Sequence, residues 1–290
     1  MHRFLLHNGQ IHEATEILLS PGQVGLLNGW GVFSTVRVHE GVLFAFERHW
    51  ARMKRDAELM RVPFPWTANS LETELLKLVE ANNARNATLR VAVIRNRGGV
   101  WEGPGIQRDV DLVAFTTQLK DWGPGVKLGV VPNARHAASR FAGTKVLSWA
   151  QNLIFSEEAH EKGLDEVVLL NERDEVSECT SANIFVVKGS EVLTPPLSSG
   201  CLPGVTRQVL LEEIRVPNLT IREEVLRLAD MEAADEVFIT STTRDLLPIT
   251  AIEGLKIRQG QRVRDILQAE FTKYLESYVQ AKAGSVPAKS

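Results

Sequence analysis

The residues best placed to do chemistry in this 290-residue chain fall in four short segments. Gly143-Thr144-Lys145-Val146-Leu147-Ser148-Trp149, continuing to Asn152, sets a lysine just after a strand-like stretch and before a helix-like one. Asp165-Glu166 follows. Val176-Ser177-Glu178-Cys179-Thr180-Ser181-Ala182-Asn183-Ile184-Phe185 embeds Glu178 among apolar neighbours, where an unpaired carboxylate would be costly. Leu202-Pro203-Gly204-Val205-Thr206-Arg207 combines a glycine and a hydroxyl at the start of a predicted helix. Each piece is weak alone: Lys145 is one lysine of eleven, Glu178 also fits a solvated surface, and Thr206 also fits a plain N-cap. Other chemistries lack support. Seven histidines (His2, His7, His12, His39, His49, His136, His160) lack the close spacing that sets two imidazoles on one metal, so no metal site is expected. Gly29-Trp30-Gly31 lacks the third glycine of a dinucleotide fingerprint, no glycine-rich loop ends in Lys-Ser or Lys-Thr, and no Gly-x-Ser-x-Gly elbow occurs.

The elements that must position these segments are mixed. Asn8-Gly9 between residues 3–7 and 10–17 predicts a hairpin, because both residue types tolerate the positive φ of a tight turn. Residues 33–38 and 42–46 are β-rich runs, and Trp50, Met53, Ala57 and Met60 give residues 47–61 helical spacing. Residues 70–81 read as a second helix with Ser70 as N-cap and Leu71, Leu75, Leu76 and Val79 on one face. Residues 89–94 and 111–116 read as buried strands. Between them, Gly98-Gly99-Val100-Trp101-Glu102-Gly103-Pro104-Gly105 predicts a mobile loop able to cover a site. The stretch 121–125 marks a domain change, giving a small domain over 1–122 and a larger one over 123–290. In the larger domain, strands over 126–131, 166–170, 184–187, 192–194 and 236–240 alternate with helices over 148–162, 206–215 and 262–279. No internal repeat is visible, and the tail after Ala281 is expected to fray.

Composition bounds the function class. Thirty-three basic and 36 acidic residues leave a net charge of −3, with 44% of residues hydrophobic, which is ordinary for a soluble globular chain. A polyanion partner such as nucleic acid is not expected, since that needs clustered positive charge. The uncharged run 24–36 is too short for a bilayer and is broken by Asn28 and three glycines. Phe4-Leu5-Leu6 is no signal-peptide core, so the cytoplasm is the expected compartment. Two cysteines, Cys179 and Cys201, fit reduced thiols better than a disulfide framework, though a bridge between them stays open.

Read in order, the four segments resemble the fold-type IV pyridoxal 5′-phosphate (PLP) enzymes, which include branched-chain aminotransferases, D-amino acid aminotransferases and 4-amino-4-deoxychorismate lyase. The resemblance extends to residues 29–52 and to Ser241-Thr242-Thr243. It implies an α+β, two-domain fold: a small α+β N-terminal domain, a larger C-terminal domain with a β-barrel-like core, and the cofactor between them. It also implies a homodimer whose partner's loops help line each substrate pocket. By position, Lys145 matches the catalytic lysine that holds the PLP aldehyde as a Schiff base and moves the proton. Glu178 matches the carboxylate that keeps the pyridine nitrogen protonated. Gly204, Val205 and Thr206 match the phosphate cup, Thr242 a further hydroxyl donor, Arg52 the arginine on the phosphate, and Leu202 the leucine on the ring face. Two departures stand out. Gly29-Trp30-Gly31 replaces the usual Gly-Asp-Gly, and Trp149 stands where a tyrosine is common.

The cofactor residues do not separate the family's reactions, so the substrate side must. Arg95 aligns with an arginine that faces the substrate carboxylate in D-amino acid aminotransferases and the lyase. Arg37 and Arg97 are further carboxylate candidates, and Phe33 and Thr243 complete the expected substrate-binding set. The expected activity is transfer of an amino group between an amino acid (or amine) and a 2-oxo acid. The alternative is the lyase that releases 4-aminobenzoate and pyruvate. A non-catalytic binding protein of the same fold is a third reading, against which the retention of both Lys145 and Glu178 argues.

Overall fold

In the computed structural model, which describes residues 1–100, 102–103 and 106–284, Asn8 and Gly9 take φ of 48° and 80°. The turn they form joins β1 (Phe4–His7) to β2 (Gln10–Glu13). These strands open unit 1, which comprises Met1–Lys120, Thr144–Trp149 and the chain from Glu276. Unit 2 comprises Asp121–Gly143 and Ala150–Leu275. The lysine-bearing segment 144–149 therefore groups with the N-terminal residues and not with its neighbours in sequence.

Unit 1 continues with α1 (Val24–Asn28), β3 (Gly31–His39), β4 (Val42–Leu43), α2 (Phe46–Leu59), α3 (Ala68–Ala81), β5 (Ala87–Arg95) and β6 (Val110–Thr117). Its six strands form an antiparallel sheet in the order β2-β1-β6-β5-β3-β4. Strand alternation sorts the side chains. Leu89, Val91 and Val93 face Val36, Ser34 and Val32 across the ladder. The apolar members of that face pack with Met53 and Ala57 of α2 and Leu71, Leu75, Leu78 and Val79 of α3 into one core. The other parity, Phe33, Thr35 and Arg37 with Arg90 opposite Thr35, is turned away from these helices. Helix α3 starts at Ala68, earlier than the spacing suggested, because Thr67 is the cap: its Oγ1 accepts the Ser70 N–H at 3.1 Å.

Unit 2 contains β7 (Val126–Arg135), α4 (Ala150–Glu161), β8 (Glu166–Asn171), β9 (Val176–Cys179), β10 (Asn183–Lys188), β11 (Glu191–Thr194), α5 (Val205–Glu212), β12 (Thr220–Glu223), α6 (Leu228–Ala233), β13 (Glu236–Ser241), β14 (Asp245–Ile252) and the start of α7 (Arg262–Gly284). Eight strands in the order β12-β11-β10-β13-β14-β7-β8-β9 form a mixed sheet that curls into a half-barrel. Pairs β11·β12, β14·β7 and β7·β8 are parallel. β8 is buried along its whole length and β13 over all but its last residue, which explains their apolar centres at 167–170 and 237–239.

Several elements escaped the sequence reading for local reasons. β14 carries Pro248, which argues against a strand, yet its pairing with β7 begins only at Ile249, beyond the proline. β12 and β9 are four residues each, too short to show a period. Helix α4 begins at Ala150 and not at Ser148, because Ser148 is occupied elsewhere: its Oγ donates to the Gly29 carbonyl at 3.0 Å. Of the expected 98–105 loop, Trp101, Pro104 and Gly105 lie outside the described residues, as do 285–290 of the tail. The described part is pinned by Gly98 N–H to Glu102 at 2.7 Å and Gly103 N–H to the Gly22 carbonyl at 3.0 Å. Both cysteines are free thiols, and burial pushes Cys201 up to about 12. Among the described residues no helix is long and apolar enough to cross a membrane, and no group of three or more His, Cys, Asp or Glu could hold a metal ion.

Candidate active site

Lys145 owes its placement to three hydrogen bonds of the surrounding backbone, the third of them to a side chain. The Phe33 N–H donates to the Lys145 carbonyl and the Leu147 N–H to the Gly31 carbonyl, each at 3.0 Å, so the segment runs along the start of β3. On its other side, the Lys145 N–H donates to Asp56 Oδ2 at 3.0 Å, and Asp56 is buried on α2. Gly31 is required here. A Cβ at that position would overlap the Val93 carbonyl and the Leu147 side chain, so only glycine lets the lysine segment approach the strand. The Lys145 Nζ lies 4.7 Å from the centre of the Phe33 ring.

Helix α2 presents a polar stripe to the same region. His49, Arg52 and Asp56 are buried at i, i+3 and i+7, one face of the helix. Ser34 Oγ, on β3, lies 2.8 Å from His49 Nδ1 and accepts Arg52 Nη2–H at 2.8 Å. Burial pushes the Arg52 guanidinium down to about 10, with the Asp56 charge opposing that shift. Burial also pushes His49 well below its ordinary range, and the positive charges of Arg52 and Lys145 act in the same direction. The imidazole is therefore neutral beside two cations.

The arginines expected on the substrate side separate by strand parity. Arg37 is half-buried on the face of β3 that carries Phe33. Arg95 shares parity with Leu89, Val91 and Val93, so it turns toward the helices. There Nε donates to the Arg97 carbonyl at 2.7 Å, Nη1 donates to the Arg61 carbonyl at 2.6 Å, and the guanidinium stacks 4.2 Å from the Trp30 ring. Trp30 in turn donates its indole N–H to the Met60 carbonyl at 2.7 Å, which makes it a brace between β3 and the end of α2. Arg97 is 47% exposed and pairs with Glu102 at 3.3 Å. Arg95 and Arg97 are thus engaged by the Arg61 and Arg97 carbonyls, Trp30 and Glu102.

Arg90 instead shares the Phe33 ring with Lys145. Its guanidinium lies 3.9 Å over Phe33 and 6.0 Å from the Trp149 ring, and Phe33 meets Trp149 edge-on at 6.2 Å. Arg90 has no carboxylate partner among the described residues, and burial lowers its pKa. Sequence reasoning missed it because a strand arginine is unremarkable alone. The signal was its even spacing from Ala92 and its odd spacing from Arg95, readable only once the register against Phe33 is known.

Unit 2 holds the second group of residues. Glu178 is on β9, its side chain 12% exposed. Arg135 Nε donates to its Oε1 at 3.1 Å and the Leu202 N–H to its Oε2 at 3.0 Å. Arg135 is steered by Asn152, whose Oδ1 accepts Nη2–H at 3.1 Å, while Asn152 Nδ2 donates to the Thr180 carbonyl at 2.9 Å. Asn183 Nδ2 donates to the Leu202 carbonyl at 2.8 Å. Leu202 is thus fixed at both peptide groups.

Gly204 is the N-cap of α5, with no side-chain cap bond, so Thr206 is not the cap. The amides of Val205 and Thr206 find no acceptor among the described residues, which leaves the helix start open to an anion. A Cβ on Gly204 would overlap Asn183 Oδ1. Thr242 and Thr243 form the turn between β13 and β14, just beyond Thr240 and Ser241, whose hydroxyls are buried without partners among the described residues. Asp165 and Glu166, by contrast, are structural. Asp165 Oδ2 accepts the Lys127 N–H at 2.8 Å, and buried Glu166 accepts from Ser181 Oγ at 2.7 Å and pairs with Arg244 at 3.2 Å.

The two units carry the fold of a fold-type IV enzyme: the crystal structure of the branched-chain amino acid aminotransferase of Escherichia coli superposes with a TM-score of 0.85 at 22% identity, covering 95% of each chain. Residues 31–252 match the amino-transferase class IV family model, and the chain belongs to that family. A putative branched-chain-amino-acid aminotransferase of Methanocaldococcus jannaschii is 29% identical over 257 residues, 88% of this chain and 89% of that protein. The D-alanine aminotransferase of Bacillus licheniformis is 28% identical over 260 residues, 88% of this chain and 90% of that protein.

Proposed function

We propose that the protein is a PLP-dependent aminotransferase that moves an amino group between an amino acid (or amine) and a 2-oxo acid, with Lys145 as the catalytic residue. The observation that carries this reading is the tethering of Lys145 between Asp56 and β3, beside the cations and hydroxyls suited to a phosphate. The residues fit the cofactor. Among the described residues, His49 Nε2 in unit 1 and Thr240 Oγ1 and Ser241 Oγ in unit 2 are buried polar atoms without a partner. When bound, PLP supplies the aldehyde that takes up the amino group and a ring able to store the electron pair released at the substrate Cα.

The protein's own groups do the rest. The Lys145 amine holds the cofactor and carries the proton to and from the substrate Cα. Arg52, the amides of Val205 and Thr206 after Gly204, and the Thr206 and Thr242 hydroxyls bind the phosphate. Glu178 faces the ring nitrogen, and Arg135 with the Leu202 amide holds that carboxylate in place. Leu202 packs on the ring face. Phe33 and Trp149 give the substrate an apolar wall on which Arg90 presents a guanidinium to its carboxylate, with Arg37 and Thr243 as further substrate contacts. Arg95 and Arg97 hold the loop that follows β5. The proposed donor is an amino acid of the branched-chain or D-alanine type, as the relatives' activities indicate. The family resemblance further supports a homodimer in the cytoplasm, which sedimentation and fractionation would check.

Borohydride reduction of the purified protein followed by peptide mapping should place a pyridoxyl label on Lys145, and Lys145→Ala should fold but not turn over. Visible absorbance that amino donors bleach, in a screen of L- and D-amino acids, amines and aminodeoxychorismate, identifies the donor. A label on another lysine, or release of 4-aminobenzoate as the main product, would overturn the reading.

A further inference from the structure

We propose that His49 is a direct ligand of the cofactor phosphate, donating its Nε2–H to it, and that Ser34 fixes the imidazole tautomer that makes this possible. The inference rests on the PLP reading above and adds a neutral donor to the charged one supplied by Arg52.

The argument begins with the hydroxyl of Ser34. A guanidinium can only donate, so in the 2.8 Å contact with Arg52 Nη2 the Ser34 oxygen is the acceptor. Ser34 is fully buried, and its one other side-chain neighbour among the described residues is His49 Nδ1, also at 2.8 Å. The arrangement that gives the buried Ser34 proton an acceptor sends it to Nδ1. An imidazole that accepts at Nδ1 and is neutral carries its proton on Nε2. Burial first, and then the charges of Arg52 and Lys145, keep the ring neutral.

His49 Nε2 is buried and has no hydrogen-bond partner among the described residues. A buried N–H without an acceptor is costly, so the site is built for an acceptor that arrives from outside. The charges around it select the kind of acceptor. Arg52 stands one helical turn along the same face of α2, and Lys145 is near enough to act on the ring. Asp56, the carboxylate of that face, is engaged by the Lys145 N–H and by Arg55. An incoming acceptor beside two cations and a neutral N–H is an anion with several oxygens, and the anion assigned to Arg52 is the cofactor phosphate.

The full-length chain, titrated with PLP and with pyridoxal, which lacks the phosphate, tests this directly. His49→Phe should weaken PLP binding by about ten- to a hundredfold while leaving pyridoxal binding unchanged. His49→Gln, whose amide N–H can reach the same oxygen, should recover most of the loss. Ser34→Ala, which frees the tautomer and one Arg52 donor, should weaken PLP in the same direction. In the holoenzyme, the 31P resonance of bound PLP should move in His49→Phe and return in His49→Gln. Equal losses for PLP and pyridoxal, or wild-type PLP affinity in a folded His49→Phe, would assign His49 to packing and overturn the proposal while leaving the aminotransferase reading intact. Failure of the wild-type chain to bind PLP would overturn both.

Discussion

Exchange of Arg90 for glutamine is the sharpest probe of how the substrate is read. The guanidinium lies 3.9 Å over Phe33 without a carboxylate partner among the described residues, so its charge is uncompensated until a substrate brings one. A hydrogen bond between charged groups contributes about 1.5 to 3 kcal/mol, which is roughly ten- to a hundredfold in a binding constant. The half-saturation constants for amino acids and 2-oxo acids should rise by that factor, with smaller changes in the rate at saturation. A decarboxylated amine of the same side chain should lose little. Stability should fall only by the stacking on Phe33, about 0.5 to 1 kcal/mol, since Arg90 donates to no acceptor among the described residues. Arg95→Gln is the opposite case. It removes hydrogen bonds of 2.7 and 2.6 Å to two carbonyls and the stacking on Trp30, together about 2 to 3 kcal/mol, so melting should drop while half-saturation constants hold. Stopped-flow half-reactions and thermal melts of both variants decide. Raised constants in Arg95→Gln with none in Arg90→Gln would refute the parity argument, and equal losses for acids and amines in Arg90→Gln would show that Arg90 merely supports Phe33.

Glu178→Gln keeps the acceptor for the Leu202 amide but strips the charge that Arg135 pairs with, so single-turnover proton removal should slow by orders of magnitude while PLP affinity falls less. An unchanged half-reaction would make Glu178 structural. Asp56→Ala removes the acceptor for the Lys145 N–H and should slow the proton-transfer step by up to about a hundredfold at unchanged substrate affinity, with Asp56→Asn milder because it keeps an oxygen. Wild-type rates in Asp56→Ala would mean that β3 alone positions the lysine. Hydrogen bonds from Arg173, Asn171 and Ser199 hold the Glu175 carboxyl down at about 2 against an ordinary 4.5. Its stabilising contribution is therefore complete above about 4.5 and disappears as pH falls toward about 2. Denaturant unfolding from pH 7 to 3 should show that acid loss in the wild type and a flatter profile in Glu175→Gln.

What the sequence shows and hides follows from which contacts are local. The 8–9 hairpin turn, the face of α3 and the apolar strands β8 and β13 are written in neighbouring residues, so their patterns are readable directly. The start of α3 was misplaced because Ser70 and Thr67 are both capping types, and only the bond from the Ser70 N–H picks Thr67. The order of Lys145, Glu178, Gly204-Val205-Thr206 and Thr242 is legible as a family resemblance, since each stands in a short motif. Arg135 was invisible as the partner of Glu178, being 43 residues away from it with no motif of its own, and so was the role of Asn152 in steering Arg135. Arg90 and Arg95 are five apart, an odd spacing that sends them to opposite faces of β5. A reading by alignment of one position, without the register of β5 against β3, could not tell which of the two faces Phe33.

The return of segment 144–149 to unit 1 explains why a lysine so ordinary in sequence is so constrained in space. A contiguous boundary near 122 would have assigned Lys145 to the same domain as Glu178. The hydrogen bonds place its backbone on β3 and α2 instead, and α2 is also the element that carries Arg52 and His49. Amine, guanidinium and imidazole are thus spaced by one helix and one strand of a single packed sheet, so their separations are set by helix pitch and strand register. Ser34 and Asp56 serve the same end from β3 and α2: one locks Arg52 and His49 to each other, and the other locks the helix to the lysine. A mutation that shifts α2 should therefore disturb cofactor affinity and proton transfer together, whereas one confined to Arg90 or Trp149 should alter substrate saturation alone. Comparing Met53→Ala in the core under α2 with Arg90→Gln tests that partition: coupled losses in the first and a saturation defect in the second are expected, and a pure saturation defect in Met53→Ala would show that the helix does not act as the common frame.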